Sequence, residues 1–339
     1  MIKLNLRKKG LMGICLALAL CIVGVGAQCL KAAERVDLSK PVTITAEVDN
    51  ADGSTFATKY QGTVTIKLYK VAKMSETGDL TLAEGFENSG VNLAVLGNKP
   101  TVDTIRSEIV SKAVTASANA TEVKTLTINR GEGESRAIAP LSEAGLYLYV
   151  PEDATDDRYL YEFTPYVILA PESTYITTGE GSDEWNYNVT FKLKASDTPR
   201  TGKLKIVKTL KNYNVSLGDA SFVYEVKAVL DGKEVINNVY KLDFTAQEFA
   251  NNHTAERLLD VEFPATAVVT VKETYSGASY KPVDGKDTVT DITIVADETK
   301  EAAFENESSG NLIVGGIAAE NVFVDDEDGN PVWQDNSPR

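Results

Sequence analysis

The sequence predicts an all-β protein, two β-sandwiches in tandem with a single helix inserted in the first. Three observations predict it. Short runs of alternating apolar and polar residues recur along the chain, beginning with Val42, Ile44, Ala46 and Val48 and continuing through Val64, Ile66 and Leu68. A strand sends alternate side chains to opposite faces, so this period marks strands with one buried face. Helical spacing is scarce. A polar stretch, Ala195-Ser196-Asp197-Thr198-Pro199-Arg200-Thr201-Gly202, separates two segments that are each of domain size.

Further runs lie at 145–150, 159–169, 187–193, 203–210, 221–230, 265–275, 289–295 and 302–304, bounded by Gly, Asp, Asn and Pro. Strands of this length between such turns predict antiparallel sandwiches. Val102, Ile105, Ile109 and Ala113 follow helical spacing behind Pro100 and Thr101, which predicts a helix over 101–114. A second, short helix is predicted to begin at Thr245, with Glu248 completing a capping box. The polar linker places the first module at 36–196 and the second at 202–308. The tail, 309–339, reads as a strand, an acidic turn and a second strand. Its Asp325-Asp326-Glu327-Asp328-Gly329-Asn330-Pro331 carries the Asp-Gly and Asn-Pro pairs of turns and lacks the ligand spacing of an EF-hand.

The chain has 339 residues, a net charge of −15 and three cysteines. Residues 1–33 hold five basic residues, no acid and all the cysteines (Cys15, Cys21, Cys29), with an almost wholly apolar run from Leu11 to Ala27. Basic start, apolar middle and small-residue end make a secretory signal peptide. The run is short for a membrane span of about 20 residues. Cleavage is expected after Ala27 or Ala33, and Gln28 before Cys29 disfavours lipoprotein processing. Taking 33 residues from 339 and five basic residues from 34 leaves 306 residues with 29 basic and 49 acidic, a net −20, and no cysteine. That excludes a disulfide scaffold, a thiol nucleophile and cysteine-based metal sites. Nucleic acid is disfavoured as a partner, because nothing offsets phosphate repulsion. One histidine, His253, excludes His-cluster metal sites and argues against a Ser-His-Asp triad. No later segment is apolar enough to span a membrane, and no cofactor or metal is expected. A secreted, cysteine-free chain needs some other source of strength.

Strand parity supplies a candidate. In 203–210 the inward set is Leu204, Ile206, Lys208 and Leu210; in 269–273 it is Val269, Val271 and Glu273; in 302–306 it is Ala302, Phe304 and Asn306. One lysine, one glutamate and one asparagine therefore point into a single core, from its first, a late and its last strand. Buried alone, Lys⁺ or Glu⁻ is costly, so such groups pair or lose charge. Desolvation lowers the amine's pKa and raises the carboxyl's. Two arrangements satisfy the parity. One is a Lys208–Glu273 ion pair with Asn306 as a hydrogen-bond partner, the commoner solution in proteins. The other is a side-chain isopeptide bond, with Lys208 attacking the Asn306 amide, Glu273 assisting the transfer and ammonia leaving.

These residues carry a resemblance. Leu204-Lys205-Ile206-Val207-Lys208-Thr209, Phe222-Val223-Tyr224-Glu225-Val226, Phe263-Pro264, Val271-Lys272-Glu273-Thr274-Tyr275 and Phe304-Glu305-Asn306 resemble the Cna-B-type isopeptide domain of Gram-positive pilins and surface adhesins. The resemblance implies an immunoglobulin-like sandwich over 202–308, with Lys208 and Asn306 as the bonded pair and Glu273 as the catalytic acid. The first module is similar to the N-terminal domain of pilin subunits through 65–72, 145–149, 163–171 and 185–190. Several pilins continue to a Tyr-Pro-Lys-Asn motif, whose lysine sortase links to the next subunit. Here Lys192, Leu193, Lys194 and Ala195 stand there, so Lys194 is the candidate linkage lysine, with outward parity, while the proline and asparagine are missing.

Lys70 shares the parity of Val64, Ile66 and Leu68 and looks like a first-module nucleophile. Ala195 cannot accept it and Pro151 stands near where an acid would follow. No crosslink is expected in this module; Asn186, Asn188 and Glu162 are the nearest alternative partners. The chain ends Trp333-Gln334-Asp335-Asn336-Ser337-Pro338-Arg339 without a Leu-Pro-x-Thr-Gly-like signal, apolar span or basic tail. The expectation is a truncated subunit, a terminal subunit joined through a lysine, or a released protein. Function follows the resemblance: a structural subunit of a secreted or cell-surface pilus or stalk, with other pilin or cell-wall components and sortase as partners. The alternative is an adhesin, with the 76–140 insertions and the tail binding a host or carbohydrate ligand. No enzymatic activity is expected beyond self-catalysed bond formation; a carboxylate-pair hydrolase has no supporting motif.

Overall fold

The computed structural model describes residues 35–49, 53–98, 100–173, 184–310, 322–325 and 331–334. Residues 1–33, read above as a signal peptide, lie outside them. The chain divides into two compact units, Met1–Pro199 and Arg200–Arg339, and both are β-sandwiches. A tandem sandwich with one long helical stretch, in the first unit, is the architecture.

In the first unit, Val42–Val48 pairs in parallel with Asn188–Leu193 and antiparallel with Arg136–Leu141. A second sheet runs Leu80–Leu82, Thr63–Met74, Gly145–Pro151, Tyr166–Ala170, with Lys124–Asn129 also on Thr63–Met74. The two enclose a core that includes Val42, Ile44, Ile66, Leu68, Tyr147 and Phe191. The second sheet is covered on its other face too. Val102–Ile105, Arg106–Val110 and Ser111–Ser117 form one helical stretch, capped by Thr101, whose side chain accepts from the Thr104 amide. Its central turn is widened to π geometry, and Ser111 Oγ bonds the Arg106 carbonyl. Ile105, Ile109, Val110 and Ala113 bury themselves with Phe86, Val91 and Leu96 against Tyr69, Val71, Leu146 and Leu148. The insertion therefore gives the sheet its second core.

Three expectations need correction. The polar stretch read as a linker is partly strand: Ala195–Pro199 pairs antiparallel with Tyr159–Phe163. Four of its five residues are exposed, so it shows no alternation. The run 159–169 is two strands, Tyr159–Phe163 and Tyr166–Ala170, broken at Thr164-Pro165, because proline cannot donate to the ladder. The sandwiches are not purely antiparallel, since each unit sets its opening strand parallel to one near its end.

In the second unit that opening strand is Thr201–Leu210, the lysine strand. It lies between Thr254–Leu258 and Thr299–Ser308, the asparagine strand, with Tyr280–Pro282 outside the latter and Phe263–Pro264 also on the lysine strand. The facing sheet runs Lys233–Phe244, Ala220–Leu230, Val268–Tyr275, Thr288–Thr293, and Val268–Tyr275 is the glutamate strand. The core between them holds Leu204, Ile206, Leu210, Phe222, Tyr224, Val226, Val269, Val271 and Phe304. Lys233–Phe244 escapes sequence reading because Asn237, Asn238 and Val239 are all exposed in mid-strand. The short helix Ala246–Ala250 carries the expected capping box of Thr245 and Glu248. In the tail, Val322–Asp325 pairs antiparallel with Pro331–Gln334; the acidic turn between them lies outside the described residues.

Candidate functional site: a buried lysine, glutamate and asparagine

The site is built by both sheets of the second unit. The lysine and asparagine strands lie side by side in parallel, Lys208 opposite Phe304 and Leu210 opposite Asn306. Lys208 and Asn306 thus share the inward face, one step apart along it. Glu273 comes from the facing sheet, where it stands opposite Tyr224. Lys208 and Asn306 are 0% exposed and Glu273 3%.

The polar contacts converge on one atom. Glu273 Oε1 accepts from Lys208 Nζ at 2.6 Å, from Tyr224 Oη at 3.3 Å and from Asn306 Nδ2 at 3.3 Å. Asn306 Nδ2 also donates to the Ser276 carbonyl at 3.4 Å, which sets the amide's nitrogen toward the glutamate and the 276 turn. Two buried acceptors, Glu273 Oε2 and Asn306 Oδ1, have no partner among the described residues. Aromatic rings wall the cluster: Lys208 Nζ sits 4.3 Å from the Phe222 ring centre and 6.0 Å from that of Phe304.

Burial pushes the Lys208 amine down to about 8, against the pull of the Glu273 charge and hydrogen bond. It also raises the Tyr224 phenol, reinforced by the charge of Glu273, so that the hydroxyl keeps its proton. Chemically the arrangement is an amine that loses its proton easily, a carboxylate in contact to take it, and an amide whose nitrogen touches that carboxylate. The ion pair and the pre-reaction cluster are one geometry.

Tyr224 belongs to this site but is assigned no role by the sequence reading. Its inward parity with Phe222 and Val226, directly across from Glu273, is the signal that finds it.

The first unit is different. The Lys70 side chain is 11% exposed and pairs with Glu143, not with Asn186, Asn188 or Glu162. The pairing of Thr63–Met74 with Gly145–Pro151 shifts register between Lys70 and Ala72, so strict alternation ends at the point where Lys70 stands. Lys70 and its hydrogen bond hold the Glu143 carboxyl below its usual range. Asn186 donates to Glu172 at 3.1 Å, while Asn188 and Glu162 are exposed. Lys194 is exposed, between Asn188–Leu193 and Ala195–Pro199, and Lys192 pairs with Asp49 at 2.7 Å.

No family profile matches the chain, and no curated protein does. Among solved structures, it is similar to the TIE protein of Bacillus anthracis, at 12% identity and TM-score 0.30 over 86% of this chain and 40% of that one. It thus spans well under half of that protein. Similarity also extends to the major pilin SpaD of Corynebacterium diphtheriae, at 12% identity and TM-score 0.26 over 81% of this chain and all of that one. A variant of the shaft pilin SpaA of Lactobacillus rhamnosus GG gives 12% identity and TM-score 0.28, over 80% and 100%.

Proposed function

We propose that the chain is a structural subunit of a surface pilus or stalk of a Gram-positive bacterium, exported by its leader, and that its second unit is tied by a Lys208–Asn306 isopeptide bond of the Cna-B type. One observation carries the reading: three polar side chains from three strands meet in an otherwise apolar core, in the combination that amide exchange requires. In the step, Glu273 takes a proton from the Lys208 ammonium. The neutral Nζ attacks Asn306 Cγ, the Cγ–Nδ2 bond breaks, and a second proton passes from Nζ through Glu273 to the departing nitrogen. Ammonia leaves, one hydrogen stays on the new amide, and one proton remains on Glu273 or departs with the ammonia as ammonium.

The consequence is mechanical. The bond closes a loop of about 100 residues, which by analogy with disulfides removes about 4–5 kcal/mol of unfolded-state freedom. Force entering the lysine strand would cross to the asparagine strand through a covalent link and bypass the hydrogen bonds between these two strands. An amide also survives reducing conditions. These properties suit an exposed filament, in which the exposed Lys194 is available for sortase-mediated linkage.

The test is a blot of cell-wall extracts boiled in detergent. High-mass ladders that collapse in Lys194→Ala are expected. A single monomer-sized band in the wild type overturns the polymeric role.

A further inference from the structure

We propose that Tyr224 is a positioning residue of the bond-forming site, its hydroxyl holding Glu273 Oε1 against both Lys208 Nζ and Asn306 Nδ2. This rests on the isopeptide reading above and adds a fourth side chain to it. A carboxyl rotates broadly about its terminal bond. If Oε1 swings away, the same atom can no longer serve the amine it deprotonates and the nitrogen it protonates. The structure shows the brace that prevents this. Tyr224 is wholly buried, stands opposite Glu273 in the same sheet and is packed at 4.9 Å against the ring of Phe304. Its hydroxyl bonds Glu273 Oε1, and among the described residues it has no other partner.

A phenol suits the task because it both donates and accepts. It donates to the carboxylate before the transfer and accepts from the acid after it, so one group satisfies Oε1 in both states. The groups facing Glu273 are Lys208 from the lysine strand, Asn306 from the asparagine strand and Tyr224 from its own sheet. The moving protons run from Lys208 to Glu273 to Asn306 Nδ2; Tyr224 neither gains nor loses one.

The experiment follows ammonia loss by intact mass after full-length chain, isolated unfolded before the bond has formed, is diluted into buffers of stepped pH. Tyr224→Phe keeps the ring and removes the hydroxyl. We expect bond formation about tenfold slower, the size of a barrier change near 1.4 kcal/mol. Phe304→Leu loosens the packing of the same ring but keeps the hydroxyl, so it should slow bond formation less than Tyr224→Phe does. In an Asn306→Ala background, where no bond can form, Tyr224→Phe and Phe304→Leu report the stability cost of each change alone, which separates positioning from folding. A wild type that loses ammonia, with Tyr224→Phe matching it in rate, overturns this inference and leaves the bond standing. A folded wild type that loses none overturns the isopeptide reading itself.

Discussion

Lys208 and Asn306 lie on adjacent parallel strands, the lysine opposite Phe304 and the asparagine opposite Leu210, with both side chains fully buried and the carboxylate of Glu273 touching each. Folding alone therefore delivers the amine, the acid and the amide to one place.

Removing the acid separates its two roles. Glu273→Ala leaves the amide unexchanged and also leaves the Lys208 charge buried without a partner. It should be less stable than Asn306→Ala, which loses only the tie, by about 3–5 kcal/mol. Replacing both charges with apolar residues, as Lys208→Met with Glu273→Leu, should recover most of that difference. Chemical denaturation of the three variants checks the order.

The pH dependence of the untied protein follows from Lys208. Its amine is held at about 8 in the fold against an ordinary value of 10.5. Between these values the unfolded chain binds the extra proton, so Asn306→Ala should gain stability as pH rises from about 8 to about 10.5, by about 3 kcal/mol. The tied wild type, whose Nζ is an amide, should lack this rise. Denaturation midpoints at stepped pH measure both.

Surface charge on the same strand should matter far less. Lys205 reaches Glu256 at 3.0 Å and Glu301 at 2.7 Å from the exposed face. Lys205→Ala should cost less than about 1 kcal/mol and that cost should shrink in high salt.

Gly202 is a steric requirement where the lysine strand begins. A Cβ there would lie 2.3 Å from the Val295 carbonyl oxygen and 3.0 Å from that of Glu298. Backbone atoms cannot give way as a flexible side chain can, so Gly202→Ala should destabilise the second unit by about 1–3 kcal/mol. A lowered denaturation midpoint is the readout.

What sequence reading could and could not reach has a physical basis. Period-two alternation is strict where one strand face is buried and the other wet, so 201–210, 268–275 and 299–308 disclosed which polar side chains turn inward. The same logic fails where both faces behave alike. Ala195–Pro199 is exposed at four of its five residues, and the Gly145–Pro151 strand is buried on both sides, its second face covered by the inserted helix. Lys70 defeats parity for another reason: the register shift beside it ends strict alternation, and its partner Glu143 sits in the turn before Gly145, 73 residues away. Tyr224 shares the inward parity of Phe222 and Val226, but a hydrogen bond across a strand pair depends on register, which alternation does not specify.

The central claim is a covalent one, and the intact mass of the folded full-length chain tests it most directly. The account predicts a wild type lighter than its sequence mass by one ammonia, and by only one, because Lys70 pairs with Glu143 and has no amide partner among the described residues. Lys70→Arg should leave that loss unchanged, Glu273→Ala should abolish it, and a digest should join the Lys208 peptide to the Asn306 peptide. A folded wild type at full sequence mass would contradict the account, leaving Lys208, Glu273 and Asn306 as a buried ion pair and its hydrogen-bonded neighbour.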